Sequence, residues 1–321
     1  MKRNVRNRSR RHRDETALAR RIAAFLELAQ RFKHSAPSLL MAVHTIDKDL
    51  MECLRYAVAT YMSRSMPFDT LFLDEQNLID AYEKHEQNIL TLTPNGMIVP
   101  KCNTTLEFNG VIKAFMQIIN SMNFSDVIGS WHIPLNVRIK FGRALQKNIK
   151  RARASENIHS DSWAGISAES ATISIPLFGD TDGNWVQYYH PPPVFQEDWL
   201  GALTSYSEGA EIAAQYRPID FVTPKGSINI SDVSVLHASS RSPGCGTRVS
   251  LETTFVFKKP WLREKVEVIH PWRKTERISP EVMSLICEKY MLVFYDAPAD
   301  KVYSKGGFKH PTNLKVVRIQ D

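Results

Sequence analysis

The second half of the chain constrains the fold most tightly. From Trp131 onward, short runs rich in β-branched residues recur: Trp131–Lys140, Ala171–Phe178, Trp185–His190, Ser227–Leu236 and Val249–Phe257. Alternation with a period of two marks strands that bury one face. Turn-forming stretches separate several of them, at Gly179–Gly183, Pro191–Pro193 and Ser242–Gly246. The first half reads differently. Between Thr45 and about Phe124 the apolar residues fall at helical spacing, giving helices over Asp47–Met62, Asn77–Leu92 and Glu107–Met122, with turn-rich sequence between Pro94 and Asn109. Helices followed by many short strands make an α+β protein, and the strand region is long enough for a double-sheet jelly roll. Glu197–Tyr216 reads as a helical or irregular insertion that forms part of a lid, and Pro280–Phe294 as a last helix.

At 321 residues the chain is long enough to bury a large core. It contains no apolar run long enough to span a bilayer and no apolar leader at its amino terminus. Cys53, Cys102, Cys245 and Cys287 are too scattered for a metal finger or a disulfide framework, which points to a reducing, cytoplasmic setting. The net charge of +7 is concentrated in an arm: residues 1–21 hold nine lysines and arginines against Asp14 and Glu15. Residues 1–13 lack apolar periodicity and read as a solvated tail, although such an arm is also suited to contact nucleic acid. Asp14 or Thr16 is placed to cap a core-packing helix carrying Leu18, Ile22, Phe25 and Ala29. The organisation expected is a flexible arm (1–13), a helical layer (14–125), a jelly-roll core (126–260) and a carboxy-terminal extension (261–321), in one domain.

The chemistry concentrates in Asn157–Trp163. His159 and Asp161 stand two apart, a spacing that directs both side chains to one side of an extended segment. A lone His-x-Asp is weak, since His12-Arg-Asp14 matches it too, but that copy sits in the charged arm with no strand to hold it. His237 ends a strand-like run, and eleven residues later Arg248 opens the next. Adjacent antiparallel strands bring these two within a few residues of each other. Two histidines and a carboxylate on one face of a metal leave the other face open, the donor set expected of non-heme Fe(II) oxygenases. The guanidinium of Arg248 is suited to a bidentate grip on a carboxylate.

The ordered set His159-x-Asp161, His237, Arg248 resembles the iron(II)/2-oxoglutarate-dependent oxygenases of the phytanoyl-CoA hydroxylase-like kind, over roughly Trp131 to Lys259. Ser130–Asn136 is similar to a group encoded in bacterial surface-carbohydrate clusters. The resemblance implies a double-stranded β-helix core, of jelly-roll or cupin-like form, flanked by helices. It implies that His159, Asp161 and His237 bind Fe(II), that Arg248 pairs with the distal carboxylate of 2-oxoglutarate, and that Ser250 or Thr172 adds a hydroxyl. Dioxygen is then the cosubstrate, 2-oxoglutarate leaves as succinate and carbon dioxide, and an unactivated C–H is hydroxylated. A carboxylate at Asp161, where related halogenases keep a small residue, argues against halogenation. Arg138, Trp163, Tyr188 and His190 are candidates for substrate contact, with Arg138 the choice for an anionic group, and Asn157 a candidate to support the ligands.

The expected substrate is a small or carrier-linked polar metabolite in a biosynthetic pathway. A protein or RNA held by the arm is a second possibility, and a non-catalytic β-barrel binding protein a third. Substrate identity and oligomeric state are not legible in the sequence.

Overall fold

The computed structural model describes residues 16–32, 37–68, 74–142, 151–258, 276–300 and 313–319, with short strand pieces at 303–304 and 307–308. The basic arm and residues 261–275 of the extension lie outside the described residues. Helix α1 (Ala17–Ala29) is capped by Thr16, whose hydroxyl accepts from the Ala19 N–H at 3.1 Å. Strand β1 (Met41–Thr45) follows, where the sequence pattern predicts no strand. Helices α2 (Lys48–Arg64), α3 (Glu75–His85) and α4 (Thr105–Ser121) match the three expected helices; Asp47 and Asp74 cap the first two. Helix α3 stops short of the expected Leu92, passing through a tight turn at Glu86–Asn88.

The alternating run from Trp131 divides into β2 (Ile128–Ile133) and β3 (Asn136–Lys140). Pro134 lies between them and has no N–H to give a ladder. The remaining core strands are β4 (Ser170–Gly179), β5 (Asn184–His190), β6 (Arg217–Pro218), β7 (Ser227–Asp232), β8 (Leu236–Arg241) and β9 (Arg248–Phe257), with the short helix α5 (Ala210–Ala213) before β6. The expected strand Ser227–Leu236 thus ends at Asp232, and Leu236 opens the next one. Beyond the core come β10 (Glu276–Ile278), α6 (Pro280–Ser284), β11 (Tyr290–Phe294), β12 (Tyr303–Ser304), β13 (Gly307–Phe308) and β14 (Leu314–Arg318). The expected helix Pro280–Phe294 is corrected here. Only its first five residues are helical; Cys287 takes a left-handed φ of 66°, and Tyr290–Phe294 pairs with Leu314–Arg318 as a strand.

Two antiparallel sheets form the core. The larger runs β1-β7-β4-β9-β2-β10, with β3 paired to the first half of β9; the smaller runs β6-β5-β8. The period-two pattern divides the large sheet into two unlike faces. Val137, Ile139, Ile173, Ile175, Ile228, Ile230, Val249 and Leu251 join the helices in one apolar core. The residues between them, Arg138, Lys140, Thr172, Ser174, Asn229, Arg248, Ser250 and Glu252, occupy the other face, yet all are buried or half-buried. Tyr188 on the small sheet faces Ser174 and Asn229 on the large one, so the polar faces look at each other across the interior. This is a jelly-roll core of the double-stranded β-helix kind, with helices packed on one side.

A second apolar cluster lies beside the barrel, built from Trp163, Ile166, Phe195, Leu200, Tyr206, Tyr216, Val233 and Leu236. Arg21 of α1 ties it to the large sheet. Fully buried, its guanidinium reaches Asp232 at 2.9 and 3.1 Å, Glu197 at 2.5 Å and the Ala168 carbonyl at 2.9 Å. Asp232 is equally buried, so removing its partner strands a charge. Arg21→Ala is expected to lower unfolding free energy by about 3–5 kcal/mol, measured by urea denaturation; a loss below about 1 kcal/mol would refute the structural role.

Candidate metal centre

Residues 151–160 carry the first ligand and are pinned along their length. Asn95 accepts from Arg151 at 2.8 Å and donates to the Arg153 carbonyl at 3.0 Å, while the Ser239 N–H donates to the Ser155 carbonyl at 2.7 Å. Lys140, buried on β3, reaches Ser155 Oγ at 2.5 Å and lies 3.8 Å from Glu156, which Arg241 also approaches at 3.5 Å. The segment then meets β8 at a single bridge, where His159 and His237 exchange backbone hydrogen bonds of 3.0 and 2.8 Å. That bridge brings the two imidazoles together, with ring centroids 4.4 Å apart. Asp161 is not on a strand as expected; it opens a tight turn, Asp161–Ala164, capped by Ser160 and closed at Gly165 with a φ of 95°. The turn still delivers its carboxylate to the same point.

Ligand atoms of His159, Asp161 and His237 all lie within 4.8 Å of one another, and His237 Nε2 is 3.8 Å from Asp161 Oδ1. His159 Nδ1 is 2.7 Å from the Asn157 carbonyl. A carbonyl only accepts, so Nδ1 carries the proton and Nε2 keeps the lone pair a metal needs. Asn157 therefore supports the ligand, as expected, but through its backbone. Burial and then the neighbouring His237 push the His159 pKa down to about 3, which keeps the ring neutral. Burial alone would raise Asp161; the neighbouring His237 and His159 rings and a 2.7 Å hydrogen bond from Thr172 to Oδ2 outweigh it and hold the carboxyl below its usual range. Two imidazoles and a carboxylate thus offer one ligand atom each to a common point.

Arg248 begins β9 on the inner face of the large sheet, opposite the small sheet that carries His237. It is 3% exposed, and neither Nε nor Nη2 has a hydrogen-bond partner. Burial pulls its pKa down, yet an arginine stays charged at any working pH. Asn229 is fully buried and Thr223 buried, and apart from the Tyr188 hydroxyl beside them their side-chain polar atoms have no partner. Tyr188, across from His237 in the β5–β8 register, faces both, and it also lies close enough to Arg248 to act on its charge. Buried polar groups without partners are costly. Their convergence beside the Arg248 cation marks a place for a polar, anionic ligand.

The other expected site residues fall in several places. The Thr172 hydroxyl is engaged by Asp161 and Ser250 donates to Glu252 at 3.2 Å, so neither is free for a cosubstrate carboxylate as expected. Arg138 is on the inner face, but its Nε lies 2.8 Å from Glu252 and its Nη1 3.3 Å from the Asn95 carbonyl. Trp163 is corrected: it is fully buried in the second apolar cluster, its indole N–H donated to the Trp199 carbonyl at 2.7 Å, so it presents nothing to a substrate. His190 is corrected too: it sits exposed at the far end of β5, 3.3 Å from Ser38 Oγ. Asn229, Glu252 and Lys140 belong to the site and carry no motif in the sequence. The alternation itself was the signal, since a strand such as Ser-Ile-Asn-Ile-Ser places its polar residues on one face.

No known protein-family profile and no curated protein matches the chain. Solved structures similar to it include the 2-oxoglutarate-dependent epimerase SnoN from nogalamycin biosynthesis, at 10% identity, a TM-score of 0.37, and coverage of 79% of this chain and 94% of that one. EctD from S. alaskensis with 2-oxoglutarate and 5-hydroxyectoine is 12% identical, with a TM-score of 0.37 and coverage of 75% and 82%. An N-substituted L-amino acid dioxygenase from Burkholderia ambifaria AMMD is 12% identical, with a TM-score of 0.36 and coverage of 67% and 82%. At such TM-scores the likeness is too loose to carry chemistry to this chain, which has to be read from the site itself.

Two outcomes follow from the site. Thr172→Val removes the hydrogen bond that orients Asp161 and is expected to weaken Mn(II) binding about 10–100-fold, read by electron paramagnetic resonance of free Mn(II); wild-type affinity would refute the assignment. Burial lowers the Lys140 pKa from 10.5 to about 7. Between those values the unfolded chain holds the extra proton, so stability rises with pH across that window. Lys140→Met is expected to flatten that rise in denaturation midpoints measured from pH 7 to pH 10, within the window set by those pKa values.

Proposed function

We propose that the protein is a non-heme Fe(II)/2-oxoglutarate-dependent oxygenase. The observation that carries this reading is a pairing across the interior: a one-sided His159, Asp161, His237 donor set on the side of the small sheet, and on the large sheet a buried Arg248 whose Nε and Nη2 lack partners. Either half alone would suit several kinds of site; together they match a divalent metal and a dicarboxylate that chelates it at one end.

His159 Nε2, Asp161 Oδ1 and His237 Nε2 would hold the iron on one face. Arg248 would take the distal carboxylate of 2-oxoglutarate, with Tyr188, Asn229 and Thr223 supplying neutral hydrogen bonds that satisfy their own buried groups. Iron and 2-oxoglutarate together supply activation of dioxygen and hydroxylation of an unactivated C–H. Thr172 keeps one carboxylate oxygen of Asp161 occupied, leaving the other for the metal. Burial of His159 and Arg248 excludes water from the cosubstrate side, which strengthens every charge interaction there. The inner face of the large sheet is rich in charged and hydroxyl side chains, which suits a small or carrier-linked polar metabolite better than an apolar one. Arg138, steadied by Glu252 and Asn95, is the candidate to meet a negative group on it.

Anaerobic addition of Fe(II) and 2-oxoglutarate to the apo-protein is expected to produce a visible charge-transfer band. Arg248→Ala is expected to weaken the 2-oxoglutarate dependence of that band about 10–100-fold, the equivalent of one charge-assisted hydrogen-bonded pair. His159→Ala should abolish the band in protein that remains folded. A folded wild-type protein that yields no band would overturn the reading.

A further inference from the structure

The stretch Glu197–Tyr216, expected from sequence to be part of a lid, is stitched to the ligand-bearing segment. Tyr206 N–H donates to the Ala152 carbonyl at 2.7 Å and Ser205 Oγ donates to the same carbonyl at 3.0 Å. Leu203 N–H reaches the Trp163 carbonyl at 2.9 Å, and Arg153 Nη2 reaches the Leu203 carbonyl at 3.0 Å. Gly209 lies so close over the Trp163 ring that a Cβ there would meet it at 2.4 Å. A segment held this way is a fixed wall. What it fixes against the site is one ring: Tyr206, 7% exposed, stacks on His159 with centroids 4.2 Å apart and planes 15° from parallel.

We propose that Tyr206 is a positioning residue for the metal ligand His159, and that its π face stabilises the metal-bound imidazole. The Asn157 carbonyl holds His159 by a single hydrogen bond at Nδ1, a soft restraint that leaves the ring some freedom to tilt about its Cβ–Cγ bond. A near-parallel stack removes that freedom and sets the plane in which Nε2 meets the ion. An imidazole that ligates a divalent cation gains positive character, and an electron-rich phenol ring over its face attracts it. The neutral apo ring gains less, so the contact favours the loaded state. This inference rests on the metal reading above.

The test compares wild-type protein with Tyr206→Phe, which keeps a ring, and Tyr206→Leu, which does not. Two quantities are read: Mn(II) affinity by electron paramagnetic resonance, and the energy of the anaerobic Fe(II)–2-oxoglutarate band. Tyr206→Leu is expected to bind Mn(II) about 10–100-fold more weakly and to shift the band, with Tyr206→Phe close to wild type in both. A purely structural role would change thermal stability and leave the band energy alone. Should Tyr206→Leu fail to fold, Tyr206→Met fills the same apolar site without a π face and carries the comparison. Wild-type affinity and an unshifted band in a ringless variant would overturn the proposal and leave the metal site standing. No Mn(II) binding by wild type would instead remove the metal reading on which it rests.

Discussion

Two backbone hydrogen bonds between His159 and His237 hold the site together. They join a segment that is otherwise irregular to the start of a strand, and they do so at the two residues whose side chains must meet. Because both partners are main-chain groups, the pairing is indifferent to side chain and leaves both imidazoles free. Everything around it serves to keep that one bridge in register: Asn95 and Lys140 on the approach, Ser239 on the strand side, and the turn capped by Ser160 beyond. The carboxylate arrives through the turn, at a place fixed by Thr172 from the opposite sheet. The donor set therefore depends on both sheets at once.

The interior the sheets enclose is unusual for its polarity. A barrel core normally buries aliphatic side chains, but here the inner wall carries Arg138, Lys140, Arg248 and Glu252 among serines, threonines and an asparagine. Most of these charges are matched in place: Arg138 with Glu252, and Lys140 and Arg241 with Glu156. Arg248 has Glu252 nearby but no hydrogen-bonded partner at Nε or Nη2. Leaving a guanidinium buried in that state costs free energy, and a ligand carboxylate returns it on binding.

The second apolar cluster gives the site a rigid flank. Trp163 follows Asp161 by two residues within the turn and anchors it by packing against the wall that carries Tyr206. Arg21 clamps the same region to β7 and to α1. Rigidity near the metal thus comes from a cluster separate from the main core.

Alternation and turn chemistry marked the core strands between Trp131 and Phe257 and the α+β class, because a period of two is a local property, and His159, Asp161, His237 and Arg248 stood out as candidates by residue type and order along the chain. Three helices were legible for the same reason, and the first cap as a choice between Asp14 and Thr16. What only tertiary structure decided was which polar residue faces which. Thr172 and Ser250 are identical in kind to free hydroxyls in the sequence, but the packing of the two sheets engages one with Asp161 and the other with Glu252. Trp163 follows Asp161 by two residues and Tyr206 lies far along the chain, yet in the same apolar cluster it is Tyr206 that is laid flat on His159. The strand at Tyr290–Phe294 reads as helix until its partner at Leu314–Arg318 is in place. Each of these depends on contacts between residues far apart in the chain, where spacing carries no information.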